Sequence, residues 1–187
     1  MKKTLLLFAL FMMTSTMLVF GQKDETIFGN SGLRLTGVWG GYMQNISTFQ
    51  DDFFMSRNSF FVFEINKKVL IGWDGLNAQY NTSTMGDLDL NSNGFTFGYS
   101  PLASKPIHPV INLYGGRGKI TNDDIDDNIY VWQPSVTLEA NIFRWFKLGF
   151  DGGYRFVTES NLTGITSQDL SGPYAGLKLK FGWSWGR

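Results

Sequence analysis

From Gly32 to Trp185 apolar and polar residues alternate almost one by one, and this period of two constrains the fold more than any other feature. Such alternation is the mark of a strand with one apolar face, whereas an amphipathic helix repeats every ~3.6 residues. The clearest run spans Tyr130 to Ile142. Tyr130, Trp132, Pro134, Val136, Leu138, Ala140 and Ile142 share one face, opposite Gln133, Ser135, Thr137, Glu139 and Asn141. Phe146, Leu148, Phe150, Gly152, Tyr154 and Phe156 repeat the pattern against Lys147, Gly149, Asp151, Gly153 and Arg155. Ala175, Leu177, Leu179, Phe181, Trp183 and Trp185 do so against Tyr174, Gly176, Lys178, Lys180 and Gly182.

Five shorter segments follow the same rule. Leu33, Leu35, Gly37, Trp39 and Gly41 oppose Arg34, Thr36, Val38 and Gly40, and Phe61, Phe63 and Ile65 oppose Asn58 and Glu64. Val69, Ile71 and Trp73 oppose Gly72 and Asp74, and Phe95, Phe97 and Tyr99 oppose Thr96, Gly98 and Ser100. Ile107, Ile111 and Leu113 oppose His108, Asn112 and Tyr114. Eight strands and no sizeable helix are expected. The connections are Gln44–Asp52, Asn66–Lys67, Asn81–Asn93, Pro101–Pro106, Lys119–Asn128, a tight corner at Arg144, and Thr158–Leu170. Long and short alternate, beginning with long. Transmembrane barrels combine short periplasmic turns with longer extracellular loops in this order, which puts both termini in the periplasm.

The segment ahead of the strands is of another kind. Lys2 and Lys3 precede an apolar run from Leu5 to Phe20, and Val19-Phe20-Gly21 closes on a small residue. Residues 1–21 therefore read as a secretory signal peptide cleaved before Gln22, residues 22–31 as a periplasmic lead-in, and residues 32–187 as the barrel. The run is shorter than the ~20 residues a spanning helix needs and is broken by Thr14, Ser15 and Thr16. Nothing after Gln22 is apolar enough to cross as a helix, so a membrane would be entered by strands.

Composition excludes several classes of function. The absence of cysteine removes disulfide scaffolds, thiolate zinc sites, cysteine nucleophiles and an acylated cysteine anchor. One histidine, His108, cannot build a histidine-rich metal site. The balance of 16 basic and 16 acidic residues argues against binding nucleic acid.

Alternation alone does not say which face is outside. A soluble barrel turns its apolar face inward, and an outer-membrane barrel turns it toward lipid. The polar face here mixes small residues (Gly149, Gly153, Gly176, Ser135, Thr137) with Glu139, Asp151, Arg155 and Lys178. That mixture suits the narrow lumen of eight strands better than a soluble surface rich in Lys and Glu. Aromatics gather at strand ends: Phe143, Trp145, Phe146, Trp183 and Trp185 at one, Tyr130, Trp132 and Phe156 at the other. These are girdle positions. The final strand carries Tyr174-Ala-Gly176-Leu-Lys-Leu179-Lys-Phe181, in the form of an outer-membrane assembly signal.

On these residues the sequence resembles small outer-membrane β-barrel proteins of Gram-negative bacteria, of the OmpA-domain and OmpX-like kind. The likeness covers Gly32 to Trp185 and is tightest over Trp145–Phe156 and the last strand. Past Phe181 the chain continues to Arg187, where such chains typically stop at an aromatic. The resemblance implies an all-β, single eight-stranded antiparallel up-and-down transmembrane β-barrel in the cell outer membrane. Its expected partners are outer-membrane lipid, the barrel-assembly machinery during biogenesis, and an extracellular ligand met through the loops. A non-enzymatic structural or surface-interaction role is expected, with no catalytic, cofactor or metal residues. The alternatives are a lipid-modifying outer-membrane enzyme and a soluble secreted barrel binding a small apolar ligand.

Candidate chemistry is sparse. His108 is the one imidazole that a lipid-modifying enzyme would use, but its neighbours give it no recognisable serine and carboxylate, and it reads as a lumen or interface histidine. Asp123, Asp124, Asp126 and Asp127 form an acidic tip without fixed ligand spacing, a solvated loop more than a calcium site. Asp89, Asn91 and Asn93 imitate the start of an EF-hand loop, but its twelfth position is Ser100. Asn45, Asn81 and Asn161 are sequons in expected loops. The richest set is Arg34, Glu64, Asp74, Glu139, Asp151, Arg155, Lys178 and Lys180, expected to face inward as a salt-bridged plug. Pairing about Arg144 sets Asn141 across from Lys147, Glu139 from Gly149 and Thr137 from Asp151, with Glu139 held by Lys147 or by an inward cation of another strand.

Overall fold

The protein is described by a computed structural model over residues 32–49, 52–82, 86–122, 125–158 and 166–185. The signal peptide and lead-in expected over residues 1–31 lie outside the described residues. Eight strands follow: β1 (Leu35–Phe49), β2 (Asp52–Ile65), β3 (Val69–Thr82), β4 (Gly86–Tyr99), β5 (Ile107–Asn122), β6 (Ile125–Phe143), β7 (Phe146–Thr158) and β8 (Gly172–Ser184). Each pairs antiparallel with its neighbours, and β8 closes on β1. Following paired residues once around the wall from Ile46, through Ala175, Gly152, Val136, Ile111, Tyr99, Val69 and Ile65, returns to β1 at Leu35. That is eleven residues below the start, one of them a bulged residue, so the stagger of the barrel is ten. Closure with stagger tilts the strands and leaves a lumen that side chains fill.

The strands are longer than the alternation suggested. Three connections expected to be long are instead largely continuations of strands: β1 runs to Phe49, β3 to Thr82 with β4 from Gly86, and β5 to Asn122 with β6 from Ile125. Only the link between Thr158 and Gly172 keeps the expected length. At the opposite end the turns are tight. Asn66 and Lys67 both sit at positive φ, 52° and 60°, the requirement of a type I′ hairpin turn. The turn at Arg144-Trp145 joins β6 to β7 in the expected register, with Asn141 opposite Lys147, Glu139 opposite Gly149 and Thr137 opposite Asp151.

One face assignment is corrected. The register of β1 shifts between Leu35 and Gly37, so Thr36 is the extra residue of a bulge. A bulge exchanges the faces of the residues beyond it. Trp39, expected among the outward apolar residues, is therefore turned into the lumen, where it is 1% exposed.

Candidate functional site

The lumen is a stack of polar clusters, three of which have members on both β6 and β7. From the short-turn end upward, β7 supplies Lys147, Asp151 and Arg155, while β6 supplies Glu139, Thr137 and Gln133. All six are buried. At the lowest level the Glu139 carboxylate collects three donors. Lys180 Nζ lies 3.1 Å from its Oε2, Lys147 Nζ 3.0 Å from Oε1, and His108 Nε2 3.3 Å from Oε1. Both lysine ammonium groups also lie over the Trp39 ring, at 4.4 Å and 5.2 Å from its centroid. Beside them Trp39 Nε1 donates to Glu64 at 3.0 Å, and the Thr36 and Ser184 hydroxyls donate to the same carboxylate at 3.0 Å and 2.6 Å.

Higher up the anions are held by neutral donors. Asn58 donates to Asp74 at 2.9 Å and receives a bond from Asn45 at 3.1 Å. Thr137 and Ser135 donate to Asp151, and Asn112 donates to Thr137. Arg155, expected in the salt-bridged plug with a partner on the last strand or at Asp74 or Glu64, meets Tyr174 of the last strand but no carboxylate among the described residues. It donates instead to Ser56 at 2.8 Å and Tyr80 at 3.5 Å, with the Gln133 carboxamide oxygen 2.6 Å from its Nε, and lies against the rings of Phe54 and Tyr174. The expected salt-bridged plug is thus ionic at one level only. Elsewhere it consists of charged groups hydrogen-bonded to hydroxyls, amides and an indole, the condition for keeping charges in a poorly solvated interior.

Glycines make the room. A Cβ on Gly182 would lie 3.0 Å from the Trp39 ring, and one on Gly176 2.2 Å from Asn45 Oδ1 and 2.4 Å from the Gln44 carbonyl oxygen. The void left between Asp74, Lys178 and Lys180 measures about 10 Å³, space for about one water. Side chains fill the described lumen at that level. At the short-turn mouth it widens into an open basin of about 860 Å³ above Trp39, Glu64 and Lys147.

Polarity inverts along the strands. Near the short turns the outward residues are apolar and exposed: Phe61, Ile71, Phe97, Ile111, Leu138 and Phe150 are between 41% and 65% exposed. Past the row Phe61–Trp73–Phe95–Gly115–Trp132–Phe156 the outward positions of β3 to β6 become polar, as at Asn77, Asn91, Arg117 and Asn128, while β2 carries Arg57 together with exposed Met55 and Phe53. The inward positions become apolar there instead. Leu76, Ala78, Tyr80, Leu88, Leu90, Ile120, Ile129, Val131 and Val157 form one buried cluster. On β6 the outward apolar run covers Trp132 to Ile142, a length that spans hydrocarbon with ~9–11 strand residues. One end of the barrel is therefore built to stand in lipid and the other to stand in water. The sequence reading places Leu88, Leu90 and Ile120 of this inverted core in expected loops. Its signal was present, since Leu88-Asp89-Leu90-Asn91 still alternates, with the phase opposite to Phe95 and Phe97.

Other sequence candidates resolve as follows. Arg34 precedes β1 and is exposed, so it is not a lumen residue. Lys178 is half-buried, with its ammonium 4.7 Å from the Phe60 ring centroid. His108 is 1% exposed and commits both ring nitrogens, Nε2 to Glu139 and Nδ1 to the Lys105 carbonyl oxygen at 3.0 Å. Asp123 and Asp124 lie outside the described residues, whereas Asp126 accepts from Thr121 at 2.7 Å and pairs with exposed Lys119 at 3.6 Å. Among the described residues no group of three acidic or imidazole side chains is placed to hold a metal ion. Asp89, Asn91 and Asn93 lie along β4, where extended backbone cannot fold them around one ion. Asn45 is buried inside β1 rather than exposed in a loop, Asn81 belongs to β3, and Asn161 lies outside the described residues.

A closed, plugged, eight-stranded barrel with an apolar belt defines the class: the fold is that of the small outer-membrane barrels. Neisserial surface protein A superposes with a TM-score of 0.59 at 12% identity, covering 83% of this chain and all of that one. Two structures of Ail, the attachment invasion locus protein of Yersinia pestis, align at TM-score 0.45 with 13% and 11% identity, over 79% and 80% of this chain and 97% and 100% of theirs; one holds the heparin analogue sucrose octasulfate. No protein-family model and no curated protein sequence matches the chain.

Proposed function

We propose that the protein is a non-enzymatic integral barrel of the cell outer membrane, with its short turns and both termini in the periplasm and its long hairpins outside. The observation that carries this reading is the inversion of polarity at the aromatic row. Below it hydrocarbon is the only solvent that suits the outward face, and above it water is. Lipid of the outer membrane is thus its first partner, and the barrel-assembly machinery its partner during biogenesis, consistent with the Gly176-Leu-Lys-Leu179-Lys-Phe181 pattern on the closing strand. Its working surface is the long-hairpin end, in a structural or surface-interaction role toward an extracellular ligand.

Two features weigh against the alternatives. A lipid-modifying enzyme built on His108 needs a free imidazole nitrogen beside a nucleophile, and both nitrogens are occupied. A soluble carrier of apolar ligands needs an apolar interior cavity, and below the aromatic row Phe60, Val62, Leu70 and Val110 pack beside the buried charged groups and leave only about 10 Å³ of void. Cell fractionation with gel electrophoresis of unboiled and boiled samples tests the proposal. The protein is expected in the carbonate-resistant membrane pellet, with a mobility shift on boiling. Release by carbonate would overturn the membrane assignment.

A further inference from the structure

Exposed cations occur at both ends of the barrel, but the exposed carboxylates among the described residues lie toward the long-hairpin end. At the short-turn end the tight turns expose Lys67 and Lys68, the β4–β5 turn exposes Lys105, and the β6–β7 corner exposes Arg144. Among the described residues at that end the acidic groups are Glu64 and Glu139, and both are buried, at 4% and 3% exposure, within the lumen network. The three turns of the rim therefore present four cations to solvent and no exposed carboxylate among their described residues. The acidic Asp126 and Asp169 stand at the other end.

The rim is held in place by the structure beneath it. The positive-φ turn projects Lys67 and Lys68 beyond β2 and β3. The Lys105 carbonyl oxygen is clamped by His108 Nδ1 and by Asn141 Nδ2, each at 3.0 Å. Next to the cations, on the barrel side, lies the lower aromatic girdle. Trp145 and Trp183 are 49% and 58% exposed, and Trp145 stacks on Phe143 at 5.6 Å between centroids. A set of cations at the rim beside interfacial tryptophans on a lipid-facing wall is complementary to one surface chemistry: acyl chains capped by anionic phosphate headgroups.

We propose that the rim formed by Lys67, Lys68, Lys105 and Arg144 is a docking surface for anionic phospholipid headgroups of the leaflet that meets the short turns. This rests on the membrane reading above and adds a lipid preference to it. Each headgroup phosphate would sit at the level of the exposed side chains, with its chains against Trp145, Trp183 and their neighbours.

The test uses the full chain refolded into mixed vesicles of phosphatidylcholine and phosphatidylglycerol, with bromine placed on the chains of one lipid or the other. Tryptophan quenching reports which lipid lines the wall. Brominated phosphatidylglycerol is expected to quench as if enriched about fivefold over its bulk fraction, and the enrichment is expected to collapse at about 1 M salt, where screening is short-ranged. The combined Lys67→Gln, Lys68→Gln, Lys105→Gln and Arg144→Gln variant is expected to lose it, while Arg57→Gln with Arg117→Gln, above the upper aromatic row, keeps it. Equal quenching by both lipids in the parent protein would overturn the rim proposal while leaving the membrane reading intact, as would an enrichment that survives salt, a result that needs no variant to fold. A preference unchanged in the rim variant would overturn it too, pointing to charge elsewhere, such as an acidic protein partner for the rim. No quenching by either lipid would overturn the membrane reading itself.

Discussion

Lys180 of β8 reaches across the inner wall to Glu139 of β6, with Nζ 3.1 Å from Oε2 and both side chains 3% exposed. The strand between them, β7, adds Lys147 to the same carboxylate, so one anion is the shared partner of two buried ammonium groups. Removing the carboxylate strands both. Glu139→Gln is expected to destabilise the barrel by about 3–5 kcal/mol, the cost of leaving buried charge unpaired. Lys180→Met should cost less, because Lys147 stays in place. Urea titration of the refolded protein in lipid checks both, and a parental midpoint for Glu139→Gln would mean that water reaches the cluster.

Ile71 and Gln79 lie on the same outward face of β3, on opposite sides of the aromatic row marked by Trp73. Ile71→Arg places a charge within the apolar belt and should cost about 2–4 kcal/mol, whereas Gln79→Arg should change stability by less than about 0.5 kcal/mol. Matched refolding titrations decide. If the two substitutions were tolerated equally, the belt would not mark the bilayer.

Gly176 faces inward on β8 where that strand closes on β1, and a Cβ there would lie 2.4 Å from the Gln44 carbonyl oxygen, a backbone atom that cannot rotate away. Gly176→Ala is expected to cost about 1–3 kcal/mol by overpacking and to slow closure of the barrel. The rate of the heat-modifiability shift during refolding measures it. A variant that folds at the parental rate and stability would show that the β1–β8 seam relaxes freely.

The connection before β8 carries one pH-sensitive contact. Thr166 donates to Asp169 through its hydroxyl and its backbone N–H, and these bonds hold the Asp169 carboxyl below the ordinary aspartate range. A carboxyl depressed in the folded state contributes stability at pH values above its unfolded pKa and loses it as pH falls through the folded value. The turn over 166–169 is therefore expected to stay ordered at neutral pH and to loosen only in strong acid, by a small amount because the group is exposed. Amide exchange at Thr166 followed against pH checks this. Asp169→Ala should show fast exchange at every pH, and protection equal to the parent would remove the contact from consideration.

Much of this architecture is legible in the chain. The number of strands, their order, the outward face of the lipid belt and the register of β6 on β7 are local properties. Side chains alternate with a period of two, and a tight corner at Arg144-Trp145 leaves little choice of pairing, so Leu138 and Phe150 are outward and Glu139 and Asp151 inward from sequence alone. What the sequence did not determine depends on how the sheet closes. A ten-residue stagger decides which inward groups face one another across the lumen, and so it brings Lys180 to Glu139 and Arg155 to Ser56, partners 41 and 99 residues apart. The extra residue at Thr36 turns Trp39 inward against the reading of its own alternation, because one inserted residue in a strand exchanges its faces. The extension of the strands above the aromatic row was likewise decided by tertiary structure. There Leu90, Ile120 and Val131 turn inward, since apolar side chains in water are stable only when the closed wall gives them one another to bury against.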